Sequence, residues 1–141
     1  MSESKIIQNA VKITEGNAVT YLVSSHRHDY KVYNFENGST YAVDGGKEYI
    51  RRGFSSLTDY PSDSRIDDYN LSEESDFDVV KNKLLWGTRG VSGKDPLKYL
   101  PFKELSVSHL KSILEYANYA YPLTDLQLKV INYWIEDNHI L

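Results

Sequence analysis

From residue 5 to residue 52, apolar and polar positions alternate in short runs. From residue 106 onward, apolar residues recur every three or four positions. A period of two places alternate side chains on one face of a strand, and a period near 3.6 places them on one face of a helix. The chain therefore reads as β first and α second. Runs over 5–14 and 18–24 are rich in Ile, Val, Thr and Tyr and are divided by Glu15-Gly16-Asn17. The run over 30–35 ends at Glu36-Asn37-Gly38-Ser39, and Asn-Gly is a strong hairpin signal because both residues tolerate positive φ. Residues 40–44 meet Gly45-Gly46, a second candidate two-residue turn, after which 47–52 return as a further strand. The pattern predicts an antiparallel meander of four to five strands whose apolar face needs a cover.

Residues 53–75 contain Pro61, many Ser and Asp residues and no periodicity, and are expected to form a long polar loop that is functional or mobile. Ser75 is placed to cap a short helix over 76–85, with Phe77, Val80 and Leu84 on one face. Gly87, Gly90, Gly93 and Pro96 then interrupt the helical pattern. Ser106 starts a second helix, in which Val107, Leu110, Ile113, Leu114 and Ala117 form a stripe. The third helix has a capping box in Thr124 and Gln127 and staple positions in Leu123 and Leu128. Its stripe is Val130, Ile131, Trp134 and Ile135. Tyr121-Pro122 closes these last two helices into an αα-hairpin. The expected fold class is α+β in a single domain over 1–141. It comprises a β-meander over 1–53, an acidic loop over 54–75 and a helical part, a short helix followed by the αα-hairpin, over 76–141.

Composition sharpens this picture in two places. The chain has no cysteine, which removes disulfides, thiolate nucleophiles and Cys-ligated zinc and fits a reducing compartment. The polar stretch Met1-Ser2-Glu3-Ser4 and the absence of any long apolar run predict a protein without a secretion leader or membrane span. The net charge of −4 conceals an asymmetry. Residues 59–78 carry eight acidic side chains against Arg65 alone, and residues 79–111 carry seven basic ones against Asp95 and Glu104. The two blocks either neutralise each other or form an anion-binding face beside an acidic loop.

Three clusters carry candidate chemistry. On a strand, His26 and His28 would point to one side and could share a metal, with Asp29 beside them and Asp44 or Glu48 as further ligands. The alternative is a surface turn held by Asp29. Asp44-Gly45-Gly46 is either a tight turn or bare backbone that a ligand can approach. Arg51 and Arg52 beyond it offer forked donors to phosphate, and on a strand only one of the two serves a given pocket. Arg27 adds a third guanidinium. The third cluster is Trp86-Gly87-Thr88-Arg89-Gly90-Val91-Ser92-Gly93-Lys94. It lacks the register of a P-loop, but its glycines, hydroxyls, cations and indole are what an anion-binding loop needs. Against that stands a glycine-rich connector with its Trp in the core. No Ser-His-Asp order, paired-carboxylate motif or dinucleotide fingerprint is present, and His109 and His139 sit on or beside helices.

The stretch Ser25-His26-Arg27-His28-Asp29-Tyr30, followed by AVDGGKEYIRRG from Ala42 to Gly53, resembles a motif in small uncharacterised proteins of tailed bacteriophages. A second stretch, with Asp78-Val79-Val80, Trp86-Gly87-Thr88, Gly93-Lys94-Asp95-Pro96-Leu97-Lys98-Tyr99 and His109-Leu110-Lys111, is similar to a module that follows the first in those proteins. Together they cover residues 24–115. In that family cysteine pairs resembling a zinc ribbon flank the histidine-aspartate motif. Here the corresponding positions, around 19–23 and 32–35, hold aliphatic and aromatic residues, so apolar packing takes the place of a metal. The resemblance implies, by analogy, a role against host defences.

The sequence-level expectation is a non-catalytic phage counter-defence protein in the host bacterial cytoplasm. It needs no cofactor, forms a homo-oligomer and sequesters a phosphate-bearing nucleotide signal, such as a cyclic nucleotide. Arg27, Arg51, Arg52, Trp86, Thr88, Arg89 and Lys94 are the candidate ligand-binding residues. The alternative is a protein–protein inhibitor of a CRISPR or restriction effector that presents the acidic segment 59–78 to a host protein. A metal-dependent enzyme centred on His26, His28, Asp29 and Asp44 is the third reading.

Overall fold

In the computed structural model, residues 5–55, 63–89, 94, 96–117 and 123–140 are described. The chain has the α+β composition expected, and it sorts into two compact units, 1–75 and 76–141.

The first unit is all β. Strands β1 (Ile6–Glu15), β2 (Ala18–Ser24), β3 (Lys31–Asn34) and β4 (Thr40–Asp44) fall where the alternation places them. β1 and β2 pair from Glu15↔Ala18 outward across Gly16 and Asn17. At the β3–β4 turn Gly38 has φ +93°, but Asn37 stays out of the left-handed region. Its side chain instead accepts the Ser39 N–H at 2.9 Å.

Three expectations change. First, β5 (Arg51–Ser55) starts four residues later than the alternation suggests, so Gly45-Gly46 opens a six-residue loop rather than making a two-residue turn. Second, the expected loop 54–75 contains β6 (Ser64–Asp68) and β7 (Leu71–Ser72), both paired with β1. β6 is an edge strand held by backbone hydrogen bonds, with Ile66 its one apolar side chain. A polar edge strand carries little periodic signal, and its charges discourage edge-to-edge association. Third, the strands form two sheets rather than one, β2-β1-β6 with β7 beside β1, and β3-β4-β5. They enclose a core of Val11, Ile13, Phe35 and Val43, supported by Leu22, Tyr33, Tyr41 and Ile66. Glu15 ties the sheets together at one end, where its carboxylate accepts the Tyr33 hydroxyl at 2.9 Å and the Glu36 amide at 3.0 Å. Burial and that carboxylate raise the Tyr33 phenol above its ordinary pKa.

The second unit holds α1 (Phe77–Lys83), β8 (Leu85–Thr88), β9 (Lys98–Pro101), α2 (Val107–Ala117) and α3 (Asp125–Ile140). Asp76, not Ser75, stands at the N-cap of α1, while Ser75 Oγ accepts the Ser72 amide. The sequence reading has no strands here. β8 and β9 form a hairpin because Leu85, Pro101 and the neighbouring Phe102 are buried, and Phe102 is fully enclosed. Leu110 and Ile113 of α2 and Val130 and Ile131 of α3 complete the core, as the helical stripes predict. The Trp134 indole donates to the Lys81 carbonyl at 2.9 Å, and the Tyr133 hydroxyl accepts from Lys81 Nζ at 3.0 Å, joining α3 to α1.

The starts of the last two helices are capped as expected. Ser106 Oγ accepts the His109 amide at 3.1 Å. Thr124 and Gln127 exchange hydrogen bonds at 2.9 and 3.1 Å. The expected Tyr121-Pro122 turn lies outside the described residues. Thr124→Ala is expected to cost about 1 kcal/mol, the usual value of an N-cap hydroxyl. Urea denaturation followed by Trp fluorescence reads this unit alone, because both tryptophans, Trp86 and Trp134, belong to it.

Candidate functional site

The two motifs that stand apart in the sequence meet in the first unit. Residues 26–28 do not continue a strand. They form a turn closed by the Asp29 amide donating to the His26 carbonyl at 2.9 Å, with His28 in the left-handed region at φ +64°. The alternation argument for a shared metal face therefore does not apply, because a turn does not align His26 with His28. The His26 side chain is 76 % exposed, and His28 Nδ1 is hydrogen-bonded to the Tyr49 hydroxyl at 2.7 Å. Among the described residues no three His, Asp or Glu side chains are grouped as a metal would need.

The Gly-Gly loop folds against this turn. Gly45 has φ +108° and Gly46 φ +54°. A Cβ on Gly45 would lie 1.8 Å from the Tyr49 carbonyl oxygen, and one on Gly46 would lie 2.2 Å from the His26 carbonyl carbon. The glycines let two pieces of backbone touch, rather than admitting a ligand to bare amides. Ser24 Oγ completes the clasp, donating to the Asp29 carbonyl at 2.6 Å and accepting the Gly46 amide at 2.9 Å. Asp29 accepts the Ser25 amide at 2.7 Å and stands 3.4 Å from Lys31 Nζ.

Beneath the loop lies a polar network that sequence reasoning missed. Asn9 is 1 % exposed, and its amide nitrogen donates to the carbonyls of Asp44, Gly46 and Tyr49 at 2.9, 3.1 and 3.2 Å. Its amide oxygen accepts Arg52 Nη1 at 2.7 Å. Arg52 Nη2 bonds to Asn70 Oδ1, which also accepts the Ala10 amide. Half-burial lowers the Arg52 pKa, opposed by Tyr41 and Asp68. The available signal was Gln8-Asn9 inside the apolar run of β1, since buried polar groups in a strand must find partners.

The arginines divide as opposite strand faces require. Arg52 turns inward to the network. Arg51 points the other way, exposed, with no hydrogen bond or ion pair among the described residues. Arg27 faces Glu48 at 3.8 Å, both exposed. Beside Arg51 is a trough of about 320 Å³ lined by Tyr30, Ala42, Asp44, Arg51, Arg52 and Gly53. Ala42 pairs with Gly53 and Asp44 with Arg51 across β4 and β5, so these four residues share one face of the sheet. A Cβ on Gly53 would meet nothing within 4 Å, which leaves the floor open. Tyr30 is 64 % exposed at the wall. The Tyr49 hydroxyl donates to Asp44 Oδ2 at 3.1 Å, and partial burial together with that carboxylate raises the Tyr49 phenol pKa.

The remaining predicted residues belong to the second unit. Trp86 and Thr88 are strand residues of β8, not members of a glycine-rich loop. The Trp86 ring packs on Phe102 at 5.5 Å between centroids, and Thr88 is buried. Arg89 and Lys94 are exposed, and residues 90–93 between them lie outside the described residues. Of the acidic segment, Asp67 is paired with Arg65 at 3.0 Å and Asp68 accepts the Asn70 amide at 2.8 Å, while Glu73 and Glu74 are exposed.

No family model, curated protein or solved structure matches this chain. Among the described residues no helix is long and apolar enough to cross a membrane.

Proposed function

We propose that this protein binds a phosphate-bearing nucleotide without transforming it, in the trough between Tyr30 and Arg51. The observation that carries this reading is a guanidinium, Arg51, unpaired among the described residues, beside an exposed phenol ring and over a floor with no side chain at Gly53. Guanidinium is the usual partner of phosphate oxygens, and a tyrosine face stacks a base. The trough volume of about 320 Å³ suits a small ligand. The polar network below holds Arg52 and the 45–50 loop in place before any ligand arrives, which lowers the entropy lost on binding.

Sequestration of a nucleotide signal in a bacterial host cell is the biological role that agrees with the phage-like motifs, and a homo-oligomer is the expected assembly. Within the acidic segment 59–78, on which an inhibitor reading depends, Asp67 is paired with Arg65 and Asp68 accepts the Asn70 amide, so both are engaged locally.

Thermal melting with a panel of linear and cyclic nucleotides tests the proposal. A ligand at one hundred times its Kd stabilises the fold by about 2.7 kcal/mol, a readily visible shift. No shift across the panel at millimolar ligand sinks it. Arg51→Ala is expected to weaken the best ligand about tenfold or more. Gly53→Val is expected to abolish binding while leaving the unliganded melting temperature close to wild type, because the added side chain enters open space.

A further inference from the structure

Asp44 is 8 % exposed and lines the trough, yet among the described residues its charge has no cationic partner. Its two hydrogen bonds come from neutral donors, the Gly45 amide to Oδ1 at 2.8 Å and the Tyr49 hydroxyl to Oδ2 at 3.1 Å. Arg51 stands directly across the strand pair, where opposite charges ordinarily join. No ion pair forms between them, because the Gly45 amide and Tyr49 hold the carboxylate. A carboxylate offers about four acceptor positions, so about two remain for a guest. A buried carboxylate left without a counter-charge is costly unless something else completes its hydrogen bonding.

We infer that the trough is selective for ribonucleotides, with the Asp44 carboxylate accepting ribose hydroxyls while Arg51 holds the phosphate and Tyr30 faces the base. This rests on the nucleotide-binding reading above and adds the sugar to it. Acceptor and cation are cross-strand neighbours on one face of the sheet, so a single small ligand carrying both hydroxyls and a phosphate can meet both. An anion alone satisfies Arg51 and leaves Asp44 facing a second negative charge. A ribonucleotide satisfies both groups, because the hydroxyls supply the donors that the carboxylate lacks. The 45–50 loop, clasped through Ser24 and Asn9, fixes the carboxylate in advance, which is what discrimination by a single hydroxyl requires.

The test leaves the protein unchanged, so no folding defect can imitate a result. Titration calorimetry compares adenosine monophosphate with its 2′-deoxy and 3′-deoxy analogues and with inorganic phosphate. The expected result is that at least one deoxy analogue binds about tenfold or more weakly, as for loss of a hydrogen bond to a charged group. Inorganic phosphate is expected to bind more weakly still. Equal affinity of the ribose and both deoxy forms overturns the inference and leaves the binding site standing. No affinity for any nucleotide, in the monophosphates or the wider panel, overturns both.

Discussion

Asn9→Ala is expected to destabilise the first unit by about 3 kcal/mol or more, because one truncation orphans several buried groups at once. Three loop carbonyls lose their donor, and the half-buried Arg52 guanidinium loses its shortest acceptor apart from Asn70. Urea denaturation followed by far-UV circular dichroism measures the loss. Hydrogen exchange locates it, since the Glu48 and Tyr49 amides, which donate to the Gly45 carbonyl at 3.0 and 3.2 Å, are expected to lose protection first. Asn9→Asp separates the two halves of the effect. Aspartate keeps an acceptor for Arg52 but cannot donate to carbonyls. If the Asp variant is as stable as wild type, the tether to the loop contributes nothing and the network has been misread. A loss below about 1 kcal/mol for the Ala variant has the same meaning.

Gly46→Ala and Gly45→Ala are expected to be the most damaging glycine substitutions in the first unit, each costing about 4 kcal/mol or more. Both residues have positive φ, and both would drive a methyl group into backbone, which cannot rotate away as a side chain can. Gly38→Ala is the control. It shares the positive φ but meets nothing within 4 Å, so only the conformational cost of about 1–2 kcal/mol remains. Thermal denaturation of the three variants checks the order. If Gly46→Ala melts with Gly38→Ala, the clasp between residues 26 and 46 is looser than the geometry requires. Gly46→Ala is also expected to lower nucleotide affinity, since it displaces the loop that fixes Asp44, whereas Gly38→Ala leaves affinity unchanged.

The helices of the second unit were legible because their signals are local. A capping box lies within four residues, and a stripe at helical spacing lies within three turns, so Thr124 with Gln127 and Leu110 with Ile113 are readable from neighbours alone. The strands β6, β7, β8 and β9 were not. β6 has a single apolar residue, Ile66, and owes its place to pairing with β1 some fifty positions away. The Gly-Gly turn was misread for a related reason. The sequence shows that two glycines permit positive φ, but only the folded chain shows that Tyr49 and His26 occupy the space a side chain would need.

The candidate site divides in the same way. That Arg51 and Arg52 face opposite sides follows from strand geometry and the sequence alone. Which of them is free depends on Asn9 and Asn70, residues that no local pattern connects to Arg52. For His26 and His28 the sequence left two readings, ligands on a strand or a surface turn held by Asp29, and it is the turn that forms. Tyr30 and Gly53 became site residues because β3, β4 and β5 place them around one trough.

By itself, then, the sequence determined the α+β order of the chain, four of its strand positions, its helical stripes and the caps of the last two helices, and it singled out Arg51 and Arg52 as candidate anion partners. These follow from periodicity and capping, which act over a few residues. Tertiary structure decided the division into two sheets, the clasp between the 26–29 turn and the 45–50 loop, and the separation of a structural Arg52 from an available Arg51. It also left Asp44 without a counter-charge among the described residues. Each of these depends on which polar groups find partners across long stretches of chain, and that pairing is settled only when the core of Val11, Ile13, Phe35 and Val43 closes.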